Sequence, residues 1–199
     1  ADAIQKGCNI IFTTTPEFVQ ASVQAAIAHP EVKILNCSLN TSHRYIRTYY
    51  ARMYEAKFLM GAIAGAMAEN GQLAYIADYP IFGTIANINA FALGAKMVNP
   101  RAQVYLEWST LKDVDLGIVM DNVIKKGVTV VSGQDMVIPE DASRYFGLYH
   151  IEKEGPRNLA MPLWHWGKFY EQLIRTIMDG TWKYDDNKDE TKAINYWWG

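Results

Sequence analysis

The sequence predicts an α/β fold, a parallel sheet covered by helices, and three observations lead there. Short apolar runs rich in β-branched residues recur near residues 10, 34, 75, 105, 130 and 148. Each run but the last is followed at short range by a helical pattern, and the joints between them are short and polar. Strands alternating with helices at this spacing lie parallel, because each helix must carry the chain back across the sheet.

Ala1–Gly7 reads as the last turns of a helix with Gly7 just past its end. Cys8–Thr13 is a continuous apolar run and predicts a buried strand, which Thr14-Thr15-Pro16 turns out of. Pro16 suits a first helical turn, and Phe18, Val19, Val23, Ala26 and Ile27 form a helical stripe closed by His29-Pro30. Val32–Cys37 is the next strand, followed by the polar stretch Ser38–Arg44 and then Tyr45–Tyr50, a short extended piece or the lead into a helix.

The central unit runs from Tyr50 to Trp108. Ala51–Glu69 predicts a long helix whose Gly61, Ala64, Gly65 and Ala68 form one close-packing face, and Asn70-Gly71 ends it. Leu73–Ala77 is a buried strand stopped by Asp78-Tyr79-Pro80. Thr84–Val98 is helical, and Gln103–Trp108 is the following strand. Beyond it the pattern gives a helix over Val114–Lys126 and a strand over Val128–Ser132. A strand at Phe146–Ile151, a charged turn at Glu152–Arg157 and an extended Leu159–Trp164 come next. An amphipathic helix over Trp166–Met178 stops at Asp179-Gly180, and Tyr184–Thr191 reads as an exposed loop.

The chain has 199 residues, half of them hydrophobic, with a net charge of -2, so neither nucleic acid nor an acidic membrane is an electrostatically favoured partner. No apolar run is long enough to predict a spanning helix. The Gly61-xxx-Gly65 pattern, flanked by Arg52, Glu55, Lys57 and Glu69, reads as packing between soluble helices. Cys8 and Cys37 sit in or beside predicted strands and read as reduced structural thiols. The helix remnant at the start and the aromatic run Ala193–Trp198 at the end suggest a segment of a longer protein.

In open parallel sheets ligands bind outside the carboxyl ends of the strands, where loops converge. Those positions hold Thr13-Thr14-Thr15-Pro16, Ser38-Leu39-Asn40, Asp78 to Phe82, Trp108-Ser109, Gly133-Gln134-Asp135 and Tyr149-His150. The set is rich in aromatic and uncharged hydrogen-bonding groups, which suits a small, flat, neutral molecule better than a phosphate. Thr14, Thr15, Tyr79, Phe82, Trp108, Gln134, Asp135 and Tyr149 are the candidate ligand-binding residues. The aromatics would stack, and Thr14 and Gln134 would give directional hydrogen bonds. No catalytic or metal set is expected: His29, His43, His150 and His165 share no ligand spacing, and no nucleophile elbow or phosphate loop occurs. Asp78 and Asp135 could act as a carboxylate pair, with capping or loop bonding the plainer account. In Trp164-His165-Trp166, one tryptophan would be core and the other a pocket wall.

Tyr54, Ala56, Phe58, Leu59, Gly61, Ala64 and Gly65, followed by Ala90-Phe91, Gly94, Ala95, Asn99 and Pro100, resemble a known pattern. It is that of the basic membrane protein family, which is similar to purine-nucleoside-receptor lipoproteins of ABC transporters. Gly7–Phe12 and His29–Lys33 also look like family segments, and the likeness covers roughly residues 1 to 150. The resemblance implies a two-lobed, type I periplasmic-binding-protein-like fold lacking the start of its first lobe. Residues 1–45 would complete that lobe, 46–160 would form the second, and 161–199 would cross back with a C-terminal helix. It further implies a non-enzymatic solute-binding protein without cofactor. That protein would be extracytoplasmic and membrane-anchored, work with an ABC permease, and close on a purine- or nucleoside-like ligand between its lobes. Where the family places a ribose-binding Asp after Gly-Val, this chain has Gly147-Leu148-Tyr149. The alternative is a ligand-sensing regulatory module of a longer cytoplasmic protein with the same fold.

Overall fold

The computed structural model describes residues 2–38, 45–78, 82–109, 116–135, 145–182 and 196–198, and the side chains of Phe82, Leu116 and 196–198 lie outside that description. The chain divides into two compact units, Ala1–Arg52 with Trp164–Gly199, and Met53–Leu163. The first therefore extends seven residues past the boundary expected at 45. The reason is β3, Arg47–Ala51, which pairs in parallel with β2, Lys33–Cys37 (Leu35 beside Arg47), and so belongs to the first sheet.

The first unit holds a sheet in the order β1, β2, β3, β9, all parallel, built from β1 (Ile10–Thr13), β2 (Lys33–Cys37), β3 and β9 (Tyr196–Trp198). The strand expected from Cys8 begins only at Ile10, and Cys8 is exposed. A short helix α1 (Asp2–Gln5) precedes β1. After it Pro16–Phe18 makes one 3-10 turn that leads into α2 (Val19–Ala28). Alternation along β2 sends Ile34 towards α2, where it meets Val19, Ala26 and Ile46, and Leu35 to the opposite face. There α6 (Trp166–Met178) covers the sheet with Phe169 and Leu173. Tyr49 is fully buried between them, its ring stacked on Phe169 at 5.0 Å and its hydroxyl 2.9 Å from that of Tyr170. Burial also pushes the Cys37 thiol up to about 11, so it stays neutral and packs as a small apolar group.

In the second unit the order is β5, β4, β6, β7, β8. β4 (Gln72–Ala77) runs parallel to β5 (Gln103–Trp108) and β6 (Val130–Ser132). β7 (Leu148–Glu152) and β8 (Gly155–Ala160) are antiparallel, a departure from the all-parallel expectation. Glu152–Arg157, expected as a charged turn, is instead the tip of this hairpin: only Lys153 and Glu154 lie outside the strands, and Gly155 carries the positive φ of 114° that the reversal needs. Leu159 and Ala160 end β8, so the extended stretch starts earlier than expected.

Helices α3 (Met53–Met67) and α4 (Phe82–Val98) cover one face of this sheet, where Met60, Ala64, Phe91 and Ala95 meet Leu73, Tyr75 and Val130. On the other face α5 (Leu116–Lys125) lays Val119 and Val123 on Ala74, Ile76 and Val131. The glycines of α3 serve packing: a Cβ on Gly65 would lie 2.6 Å from the Ala95 carbonyl oxygen, and one on Gly61 would overlap that of Phe91. No helix among the described residues is long and apolar enough to cross a membrane.

Candidate functional site

The carboxyl ends of β4, β5 and β6 in the second unit bring together residues as distant in sequence as Asp78 and Asp135. Asp78 follows β4, Ser109 follows β5, and Gly133-Gln134-Asp135 follows β6. Ser109 Oγ donates to Asp78 Oδ1 at 3.1 Å, and Gln134 Nε2 reaches the same oxygen at 3.4 Å. Gly133 N–H donates to the Gly147 carbonyl at 2.7 Å, and Gly147 N–H donates to that of Gln134 at 2.6 Å, which fixes the loop. A Cβ on Gly133 would overlap the Tyr145 carbonyl oxygen and crowd Tyr149 Cε1 at 3.0 Å, so the chain passes there only as glycine.

Asp135 is paired with Lys57, Nζ to Oδ1 2.5 Å, and Lys57 is only 2 % exposed. The lysine comes from α3, on the stripe Met53, Lys57, Met60, Gly61, Ala64 that buries against the sheet. Its ammonium also lies 5.6 Å from the Tyr75 ring centroid. Burial pushes the Asp135 carboxyl up, Lys57 pulls it back, and the charge of Asp78 pushes it up again. Beside them Ser132 is fully buried, and its Oγ has no hydrogen-bond partner among the described residues. Ser132 pairs with Tyr75, so the two share the face that α3 covers. The result is a half-buried acceptor surface, two carboxylates held by one ammonium and two neutral donors. It can take hydrogen-bond donors from a ligand.

At the same end of β5, Trp108 is half-buried against the α3–α4 core. Tyr79 lies outside the described residues, and Phe82 opens α4 with its side chain undescribed. Tyr149 is a correction. Because β7 runs antiparallel to β6, Tyr149 pairs with Val131 one residue in from the end, and its ring is 1 % exposed in the α5 core. Its hydroxyl faces Met120 Sδ at 3.5 Å, so it supports the site floor and has no free face for stacking. His150, expected near the same end, instead lines a surface pocket with Met67, Glu69, Asn70, Thr129 and Arg157.

In the first unit Thr14 is exposed just after β1, and the Thr15 hydroxyl is buried. Thr13 Oγ1 lies 3.1 Å from Ser22 Oγ of α2 and accepts from Asn36 Nδ2 at 2.7 Å. Trp166 opens α6 and packs on Tyr49 at 5.5 Å, while Trp164 is half-buried with its Nε1 unpartnered among the described residues. Sequence reading missed Lys57 and Asn36. Both had a usable signal: a lysine in phase with the apolar stripe of a helix, and an asparagine inside a buried strand, are polar groups the fold must employ.

A family model described as ABC transporter substrate-binding protein PnrA-like matches residues 1–140. A purine-binding protein of Brucella abortus is 27% identical over 97% of this chain and 55% of its own length. A putative ABC transporter glucose-binding protein of Haloferax volcanii is 26% identical over 91% of this chain and 49% of its own length. The chain thus spans about half the length of these curated relatives. Among solved structures, a transcriptional activator of the comK gene from Bacillus halodurans superimposes with a TM-score of 0.72 at 14% identity, over 98% of this chain and 69% of that one. An ABC transporter solute-binding protein from Conexibacter woesei gives 0.54 at 14% identity, over 67% of this chain and 47% of that one. At these identities the likeness is one of fold.

Proposed function

Since the chain belongs to the PnrA-like family of ABC transporter substrate-binding proteins, we propose that it binds a small, flat, neutral metabolite of purine or nucleoside type. It does so as part of an extracytoplasmic, membrane-anchored protein that delivers the ligand to an ABC permease. The observation that carries the reading is that a half-buried Trp108 and the acceptor surface of Asp78 and Asp135 lie at the carboxyl end of one sheet. A ring face suits a planar ligand, and carboxylates held by Lys57 and Gln134 suit its N–H groups. Tyr79, Phe82, Gln134, Thr14 and Thr15 are the further proposed contacts.

One of the two curated relatives is named for purine and the other for glucose, and the tryptophan favours the purine. Thermal shift of the full-length protein tests the choice. At a hundred times its dissociation constant, a true ligand adds about 2.7 kcal/mol and raises the melting temperature by a few degrees. Adenine, guanine or guanosine should produce that rise and glucose should not. A rise with glucose alone overturns the purine reading.

A further inference from the structure

The outer side of the α3–α4 layer is apolar where a solvated helix would be charged. Along α3 the exposed row, at four-residue steps, is Glu55, Leu59, Ile63 and Met67. The matching row on α4 is Ile85, Asn89, Leu93 and Met97. Leu59, Leu93 and Met97 each keep 63 % of their surface open. Between the rows lies a groove lined by Tyr54, Glu55, Phe58, Leu59, Ala90 and Leu93.

The sides that meet the sheet are apolar too, so both helices are hydrophobic all round. In sequence α3 carries only Glu55 and Lys57, the latter buried in its ion pair, and α4 only Lys96. A helix of that composition is one that is covered on both sides. The solvated pattern occurs in the same chain: α6 leaves Lys168, Glu171 and Arg175 exposed, the last two paired at 2.8 Å.

The charges on the face are arranged to fit a second copy of it. α3 and α4 run the same way, since a Cβ on Gly61 would meet Phe91 and one on Gly65 would meet Ala95. Glu55 therefore lies at the amino end of the layer and Lys96 at its carboxyl end, both exposed. A two-fold axis across the helices lays each helix antiparallel on its own counterpart. It brings Glu55 to the end where the second copy holds Lys96, and the reverse pair forms at the other end.

We propose that the outer face of α3 and α4 is an isologous dimer interface, covered by the same face of a second copy of this chain. The groove between the helices takes an outward leucine of the other copy. With 15 residues α3 makes the layer about 22 Å long. Two helices wide, it suits the roughly 800 Å² that each partner gives to a standard interface. With Glu55 balanced by Lys96, the face offers an acidic membrane no net attraction. The inference is independent of which ligand the protein binds.

Sedimentation velocity of the full-length protein across the micromolar range tests it. The wild type should sediment as a dimer, and Leu93→Glu as a monomer with unchanged circular dichroism. Lys96→Glu sets two acids together at each end and should weaken the dimer about ten-fold. Glu55→Lys/Lys96→Glu reverses both charges and should restore the dimer, a rescue that misfolding of the single variant would not allow. A wild type that stays monomeric throughout overturns the interface, whatever else the face then binds. A dimer indifferent to Leu93→Glu, or no recovery in the double variant, overturns it as well.

Discussion

Lys57→Met is expected to destabilise the second unit by about 3–5 kcal/mol, the cost of leaving a buried carboxylate without its counter-charge. Lys57 is 2 % exposed and its partner carboxylate 15 %, so water cannot replace the lost ammonium as it would at the surface. An exposed pair such as Lys6 with Asp2, both more than seven-tenths exposed, is worth under about 1 kcal/mol by the same reasoning. Asp135→Asn strands the ammonium and should cost a similar amount. The double variant Lys57→Met/Asp135→Asn removes both charges and should recover most of the loss, so the cost belongs to the unpaired charge and not to the residue removed.

The pH dependence has a definite sign. Asp135 has a folded-state pKa already raised by burial, and losing Lys57 removes the contribution that pulls it down. A raised folded pKa means that the folded protein binds the proton more tightly than the unfolded chain. Stability of Lys57→Met should therefore fall as pH rises from the ordinary carboxylate range through the raised folded value. The penalty should be smallest in acid. Urea titrations at several pH values read it directly, and a penalty independent of pH would mean that Asp135 does not ionise in the folded protein.

Gly61→Ala is expected to cost about 2 kcal/mol net, against a gain from the same change at Gly167. The Cβ at residue 61 would overlap the backbone carbonyl oxygen of Phe91 on α4, and one at Gly94 would overlap that of Phe58 on α3. Backbone cannot swing aside as a flexible side chain would, so the two helices must part. Overpacking of this kind costs about 3 kcal/mol, while alanine returns about 1 kcal/mol of helix propensity. At Gly167 in α6 a Cβ meets nothing within 4 Å, and only the propensity gain remains, about 0.5–1 kcal/mol. Chemical denaturation of both variants separates steric clash from propensity. Equal effects at the two positions would contradict the packing account.

Much of the fold was legible from periodicity. The apolar runs before Cys37, Ala77, Trp108 and Ser132 became β2, β4, β5 and β6, and the stripe on Trp166–Met178 became α6. What the pattern did not show was pairing across long distances. Tyr45–Tyr50 is open in the sequence between a short extended piece and a lead into a helix, because the partners of β3, which are β2 and the terminal Tyr196–Trp198, are fixed only by tertiary contact. Likewise Leu148–Glu152 carries no mark of direction in its own composition, and the sequence shows the Lys153-Glu154 reversal only as part of a charged turn over Glu152–Arg157. In the site, Asp135 and Gln134 were visible as strand-end residues. Lys57 was read among the charges flanking a helix, because exposed lysines are the rule there and only its phase with Met53, Met60 and Ala64 marks it as buried. Tyr149 was misjudged through strand direction: reversing β7 moves it from the strand's exit into the α5 core.

Calorimetric titration of the full-length protein with adenine and guanosine, beside glucose, tests the central claim most directly. The account predicts saturable one-to-one binding of a purine or nucleoside, weakened in Trp108→Ala, and no heat from glucose. Binding of glucose without any purine, or purine binding indifferent to Trp108, would contradict it.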